Sequence, residues 1–223
     1  MKKLFLSLLA AALIFVLFSC GSEQKYTGLS SEKAEETTEN PTENPETDAD
    51  PDKDKTAILT PVSVSVANSS RVDYEKVVEK SLNSDLFKRD GSEGEKHLAV
   101  FRMEKAEDLG NFLKDVKNDI SLDFAFVSGY KSIKTLLQEY GEEFFAGNDL
   151  FLSVIRSPGL EILYGVKSVS VEKGTLIIDI EQTNSPDAIS TLETCWIFAV
   201  ALKKTDVADC TGFDSRFVGD RTY

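Results

Sequence analysis

Ile162-Leu163-Tyr164-Gly165-Val166-Lys167-Ser168-Val169-Ser170-Val171-Glu172-Lys173-Gly174-Thr175-Leu176-Ile177-Ile178-Asp179-Ile180 carries the pattern of a β-hairpin. Ile162, Tyr164 and Val166 alternate with other residues, the two-residue period of a strand with one buried face. Val169 and Val171 continue the alternation in the opposite phase. A strand changes phase by inserting a residue, so a β-bulge is expected near Lys167-Ser168. Glu172-Lys173-Gly174 reads as the tight turn, with Gly174 at positive φ. Leu176, Ile178 and Ile180 form the returning strand.

Before the hairpin, Leu150 to Ile155 is a strand ended by Ser157-Pro158-Gly159. After a polar stretch at 182–193, Cys195 to Leu202 is apolar on both faces, as a buried central strand is. Leu98 to Met103 reads the same way. Val62, Val64 and Val66 alternate with Ser63, Ser65 and Ala67, which predicts a short strand. Leu109, Phe112, Leu113 and Val116 fall on one helical face, with Glu104, Glu107 and Asp108 expected in the first turn and Lys114 and Lys117 in the last. Ile133, Leu136, Leu137 and Tyr140 repeat that spacing, and Gly141 stands where a C′ glycine would end the helix. Tyr74, Val77, Val78 and Leu82 give a third helical pattern, and 118–129 reads as a long loop. The expected class is α+β: two to three helices followed by an antiparallel sheet. No glycine-rich phosphate motif and no strand–helix alternation support a doubly wound nucleotide fold.

The N-terminal quarter has a different character. Residues 1–20 carry Lys2 and Lys3, then an apolar run from Leu4 to Phe18 broken only by Ser7. That run is short for a spanning helix, which needs roughly 17–25 residues, and has the layout of a signal peptide. Its end, Leu17-Phe18-Ser19-Cys20-Gly21, resembles a bacterial lipobox. The resemblance implies diacylglyceryl transfer to the Cys20 thiol, cleavage before it, and anchoring to the extracytoplasmic face of the cell membrane. Residues 21–56 hold eleven acidic and four basic residues, with Thr38-Glu39-Asn40-Pro41 repeated at Thr42-Glu43-Asn44-Pro45. Too little apolar surface is present to offset the entropy of ordering, so this is a disordered acidic linker. Asp48, Asp50, Asp52 and Asp54 alternate as in a calcium loop, but Lys53 and Leu59 stand where such a loop needs Gly and Glu. Residues 57–223 are the extracytoplasmic domain.

The 223 residues carry a net charge of −13 and a pI near 4.6, which argues against nucleic acid as a partner. One His and three Cys leave little for a metal or haem site, and no cofactor is expected. His97 opens a strand, without a nucleophile-elbow motif anywhere to use it. Glu142 and Glu143 are adjacent acids suited to the first turn of a short helix, not a facing catalytic pair. Trp196 sits among large apolar residues, as a core residue does. Arg216 and Arg221 read as solvated surface. Asn68-Ser69-Ser70 matches a glycosylation sequon, discounted for a bacterial chain. Cys195 and Cys210 remain after lipidation; export permits a disulfide, while a bend near Lys204–Asp206 would set Cys195 opposite roughly residue 215.

Tyr140-Gly141-Glu142-Glu143-Phe144-Phe145-Ala146-Gly147-Asn148-Asp149-Leu150 resembles the "YDEEFFxxNxL" signature of uncharacterised bacterial secreted lipoproteins. Leu163 to Ile180 continues the likeness, and Cys195-Trp196-Ile197-Phe198 falls where that family has "E-W-H-I". The same half is similar, more weakly, to the C-terminal-like domain of a bacterial protease-complex subunit. Together these resemblances imply an extracytoplasmic interaction module that names no ligand, a binding or adaptor helper of another protein and not an enzyme. Two alternatives stay open: a stabiliser or inhibitor of an extracytoplasmic protease, and a surface hydrolase using carboxylates or a Ser-Lys pair.

Overall fold

The computed structural model describes residues 56–70, 72–89 and 96–219. The leader, Cys20, the acidic segment to Lys55 with its aspartate alternation, and Arg221 lie outside the described residues. The strands are β1 Ala57–Ile58, β2 Ser63–Ser69, β3 His97–Met103, β4 Asn148–Ser157, β5 Tyr164–Glu172, β6 Thr175–Gln182, β7 Thr194–Lys203 and β8 Gly212–Phe217. They form one mixed sheet in the order β1-β5-β6-β8-β3-β4-β7-β2. Short helices are interleaved: α1 Tyr74–Glu79, α2 Ser84–Arg89, α3 Ala106–Val116, α4 Ile133–Leu137, α5 Glu142–Phe145 and α6 Lys204–Val207. The class is α+β, with sheet dominating.

The hairpin of residues 162–180 is β5 and β6. Glu172 pairs with Thr175, leaving Lys173 and Gly174 as a two-residue loop. Both have positive φ, 50° and 76°, as a type I′ turn requires. The register shifts between Val166 and Ser168, so Lys167 is the inserted residue.

The two margins of the sheet come from neighbouring residues. Leu59 donates its amide to Val169 O of β5, and Val62 donates to Ala201 O of β7, each at 2.8 Å. Three residues span at most about 10 Å. The sheet therefore curls until its margins nearly meet, and two apolar layers result. Inside the curl, Leu98, Val100, Phe151, Trp196 and Phe198 face Val169, Leu176, Ile178 and Phe217. Outside it, Ala99, Leu152, Val154 and Ile197 pack against helix residues Val77, Phe112, Leu136 and Phe145. Burial on both sides explains why β3, β4 and β7 are apolar on both faces. Each fully buried Leu, Ile or Phe contributes roughly 1.5–3 kcal/mol.

Three expectations need correction. The sheet is not wholly antiparallel, because β6 and β8 run parallel. A parallel pair needs a long crossover. The chain supplies one through the 183–193 loop, β7 and α6, and β8 then inserts between β6 and β3. The helices do not all precede the sheet either, since β1 and β2 come before α1, β3 lies between α2 and α3, and α6 follows β7. Finally, Gly141 is not a C′ glycine. The α4 helix stops at Leu137, and Gly141 caps the start of α5 in an extended conformation, φ −104°.

Candidate functional site

The β3 and β8 strands pair only at His97–Arg216 and Leu98–Ser215, then part. Asn83, in the turn between α1 and α2, fills the split. Its Nδ2 donates to Leu98 O at 2.9 Å and to Asp214 Oδ1 at 2.8 Å, while its Oδ1 accepts the Val100 amide at 3.3 Å. The Leu82 amide donates to Val100 O at 2.9 Å. One turn thus stands in for the missing length of β8. Asp214 is buried and also contacts His97 Nδ1 at 3.0 Å and accepts the Ser215 amide at 2.9 Å. His97 is held as part of this joint, with Phe87 packed beside it.

A second polar cluster closes the other end of β3. Asp149 is fully buried. It accepts from Arg102 Nη2 and Nε at 2.6 and 2.9 Å and from Lys204 Nζ at 2.6 Å. The Arg102 guanidinium also lies over the rings of Phe213 and Phe151, at 5.2 and 5.9 Å from their centroids. Asp119, the remaining buried carboxylate among the described residues, pairs with Lys80. An unpaired buried carboxylate would cost several kcal/mol or take up a proton, so these ion pairs are conditions of the fold.

Next to β3 lies a groove of about 210 Å³, between α3 and the α1–α2 turn. Its floor is Phe101, Met103 and Phe112; its rim carries Lys80, Asp108 and Asn111; Leu82 forms the lip. Phe101 and Phe112 meet edge to face at 5.0 Å, which fixes the floor. Leu82 is 55% exposed because it sits in the turn, not in the helix its spacing suggested. Asp108 already accepts the amides of Glu104 and Lys105, and Lys80 already holds Asp119 and the Asp115 carbonyl. Sites for drug-sized ligands are roughly 300–1,000 Å³. The groove is smaller than that and has an apolar floor. A second depression, about 360 Å³ and largely polar, lies at the end of α3 beside Ser121 and Asp123.

The residues singled out in sequence are scattered. Glu142 and Glu143 occupy the exposed first turn of α5. Trp196 is buried inside the curl, 4.7 Å from the Tyr130 ring centroid. Asn68 of the sequon is fully buried, its Nδ2 donating to Cys195 O at 3.3 Å. Arg216 pairs with Asp179 at 3.0 Å and with Glu172 at 3.6 Å. Burial opposes its charge, but these carboxylates outweigh burial and raise its pKa. Cys195 and Cys210 are free thiols. They pack on opposite faces of the sheet, Cys195 with the helices and Cys210 against the interior of the curl. The residue-215 geometry fails too, because β7 lies between β4 and β2, setting Cys195 opposite Arg156 and Ser69.

Asn83, Asp149 and Asp214 carry no role in the sequence reading, and Leu82 enters it only through a helical spacing. Asp149 had one faint signal, a charge at the head of an otherwise apolar run. Comparison with family models, curated proteins and solved structures gives no match.

Proposed function

We propose that this chain is a lipid-anchored binding or adaptor module on the extracytoplasmic face of a bacterial membrane, and not an enzyme. The observation that carries the reading is the order of its first 56 residues. A dibasic start and a short apolar run lead to Leu17-Phe18-Ser19-Cys20, and an acidic linker follows. Two acyl chains on Cys20 suffice for stable anchoring, where one does not. Residues 21–56 act as a disordered spacer, with an end-to-end distance of roughly 30–35 Å as a flexible coil. Residues 57–223 act as a single domain held off the membrane.

The groove under Leu82 supports the binding half of the reading, since it offers shape and apolar contact to one side chain. The paired states of Asp119, Asp149 and Asp214 give those carboxylates structural work. The likeness to a protease-complex subunit makes a stabiliser or inhibitor of an extracytoplasmic protease the narrower version. The net charge of −13 sets a repulsive field against nucleic acid.

Cys20→Ala tests the anchor. The wild-type chain should sediment with membranes and yield an acylated N-terminal peptide by mass spectrometry. The variant should move to the soluble fraction. Retention of the variant on membranes contradicts the anchor.

A further inference from the structure

Where β3 parts from β8, its margin is left open at a single residue. On that side β3 pairs at His97 and Leu98 and then loses its partner. Asn83 and Leu82 take up the Val100 amide and carbonyl. Further on, the Glu104 amide donates to Asp108 Oδ2 and the Glu104 carbonyl accepts from Lys204 Nζ, each at 2.9 Å. Arg102 lies between them. By the two-residue alternation of a strand, its amide and carbonyl point the same way as those of Val100. No hydrogen bond to either is made on that side among the described residues. The Arg102 side chain lies over Phe151 and Phe213, inside the curl, yet Arg102 lines the groove on the helix side. Its main chain therefore faces the groove. The α3 wall of the groove is acidic. Asp108, Asn111 and Asp115 recur at i, i+3 and i+7, one stripe about 10 Å long. The two cations of the groove are already held, Lys80 by Asp119 and Arg102 by Asp149. Asp115 is exposed, and Lys80 meets its carbonyl rather than its carboxylate.

We infer that the groove takes an extended segment of a partner protein, with one apolar residue between two basic ones at alternate positions. A residue next to the apolar one exchanges two backbone hydrogen bonds with Arg102, as an antiparallel pair does. Alternation then turns the apolar side chain onto Phe101, Met103 and Phe112, and the basic ones toward Asp108 and Asp115. Residues four apart in a strand are about 13 Å apart, which flexible lysines match to the stripe. Backbone pairing gives such strand addition its affinity, and the side-chain contacts give its specificity. Charge and reach select a partner over the chain's own segments. Residues 21–56 hold eleven acidic and four basic residues, and residues 90–95 hold three acidic residues and no large apolar one. Residues 220–223 span at most about 14 Å. They follow Phe217, at the His97 end of β3. Arg102 lies about 17 Å further along that strand. The recognition rests on the adaptor reading proposed above and names the chemistry of the partner.

The probe is a fluorescein-labelled Lys-Thr-Leu-Thr-Lys peptide, titrated by fluorescence polarisation against the detergent-solubilised full-length chain. It should bind with a Kd below about 1 mM. Glu-Thr-Leu-Thr-Glu, Lys-Thr-Ser-Thr-Lys, and the first peptide N-methylated at both threonines should each bind about tenfold more weakly. The last keeps every side chain and removes the main-chain donors that pair with Arg102. Asp115→Lys, a change at an exposed position, should weaken the lysine peptide and strengthen the glutamate one, each about threefold. Protease resistance equal to wild type shows that the variant is folded. No binding up to about 1 mM, equal binding of the glutamate or N-methylated peptide, or no response to Asp115→Lys overturns the proposal. The adaptor reading is scored separately, by a photo-crosslinker at Leu82 on cells. A protein captured there by a chain that ignores the lysine peptide keeps the adaptor and removes this recognition, and capture of a second copy of the chain removes it too.

Discussion

Burial pushes the Cys195 thiol up to about 12, and burial also raises Cys210, with the Arg102 charge working against it. The two thiols should therefore differ in rate. In native protein at pH 8, iodoacetamide should modify Cys210 and leave Cys195 untouched until denaturant is added, as read by peptide mass. Equal native labelling contradicts the placement of Cys195. The linkage sign follows from the raised value. The folded state keeps the Cys195 proton where the unfolded chain has lost it. The stability this group contributes is full below about pH 8.5 and falls as pH rises toward 12. Glu161 shows the opposite sign. Hydrogen bonds from Ser190 hold its carboxyl below the ordinary carboxylate range, so its contribution is lost on acidification through that lowered value. Asp149→Ala should have the largest effect among the polar residues, because it strands Arg102 and Lys204. Breaking a buried pair costs about 3–5 kcal/mol. The lower end is expected in a urea titration, since Lys204 is 38% exposed and can rehydrate.

At the scale of elements, turns separate what the chain announces from what it hides. Gly174 announced the turn, because glycine tolerates positive φ, whereas the positive φ of Lys173 had no signal in its residue type. Gly174→Ala should cost about 1 kcal/mol through its φ of 76°. Gly159 was read only as part of a strand end. In the structure a Cβ there would lie 2.2 Å from Ile189 Cγ2 and 3.0 Å from Ser190 O. Gly159→Ala should thus cost more than Gly174→Ala, about 1–3 kcal/mol, measured as a fall in the denaturant midpoint. The difference is physical: backbone conformation is a local property, while a close approach across 30 residues is not. The same holds for α4. Its spacing was legible, but where it stopped depended on Gly141 capping α5. Asn83 was silent because its hydrogen bonds span β3 and β8, which lie far apart in sequence.

For the whole molecule, the buried strands and the hairpin were legible because periodicity records which faces are covered. Strand order was not. The β8 strand itself was not read in the sequence, because three polar residues separate Phe213 from Phe217, and nothing local says that it inserts beside β6 and runs parallel to it. The curl was equally silent, since it depends on one segment, Ala57–Ser69, pairing first with β5 and then with β7. The groove inherits this: Phe101, Met103 and Phe112 were read as core, and only the departure of β3 from β8 leaves room beside them. Leu82→Ala removes an exposed side chain, so stability should stay within about 0.5 kcal/mol of wild type.

The proposed function is that of a tethered domain that binds a surface partner through that groove. The most direct measurement places a photo-crosslinking residue at Leu82 of the full-length chain on living cells, with the same residue at Lys167 on the distant hairpin as control. One near-stoichiometric crosslinked protein is expected from position 82 and none from position 167. No capture at position 82 from a folded, surface-exposed chain, or equal capture from both positions, would contradict it.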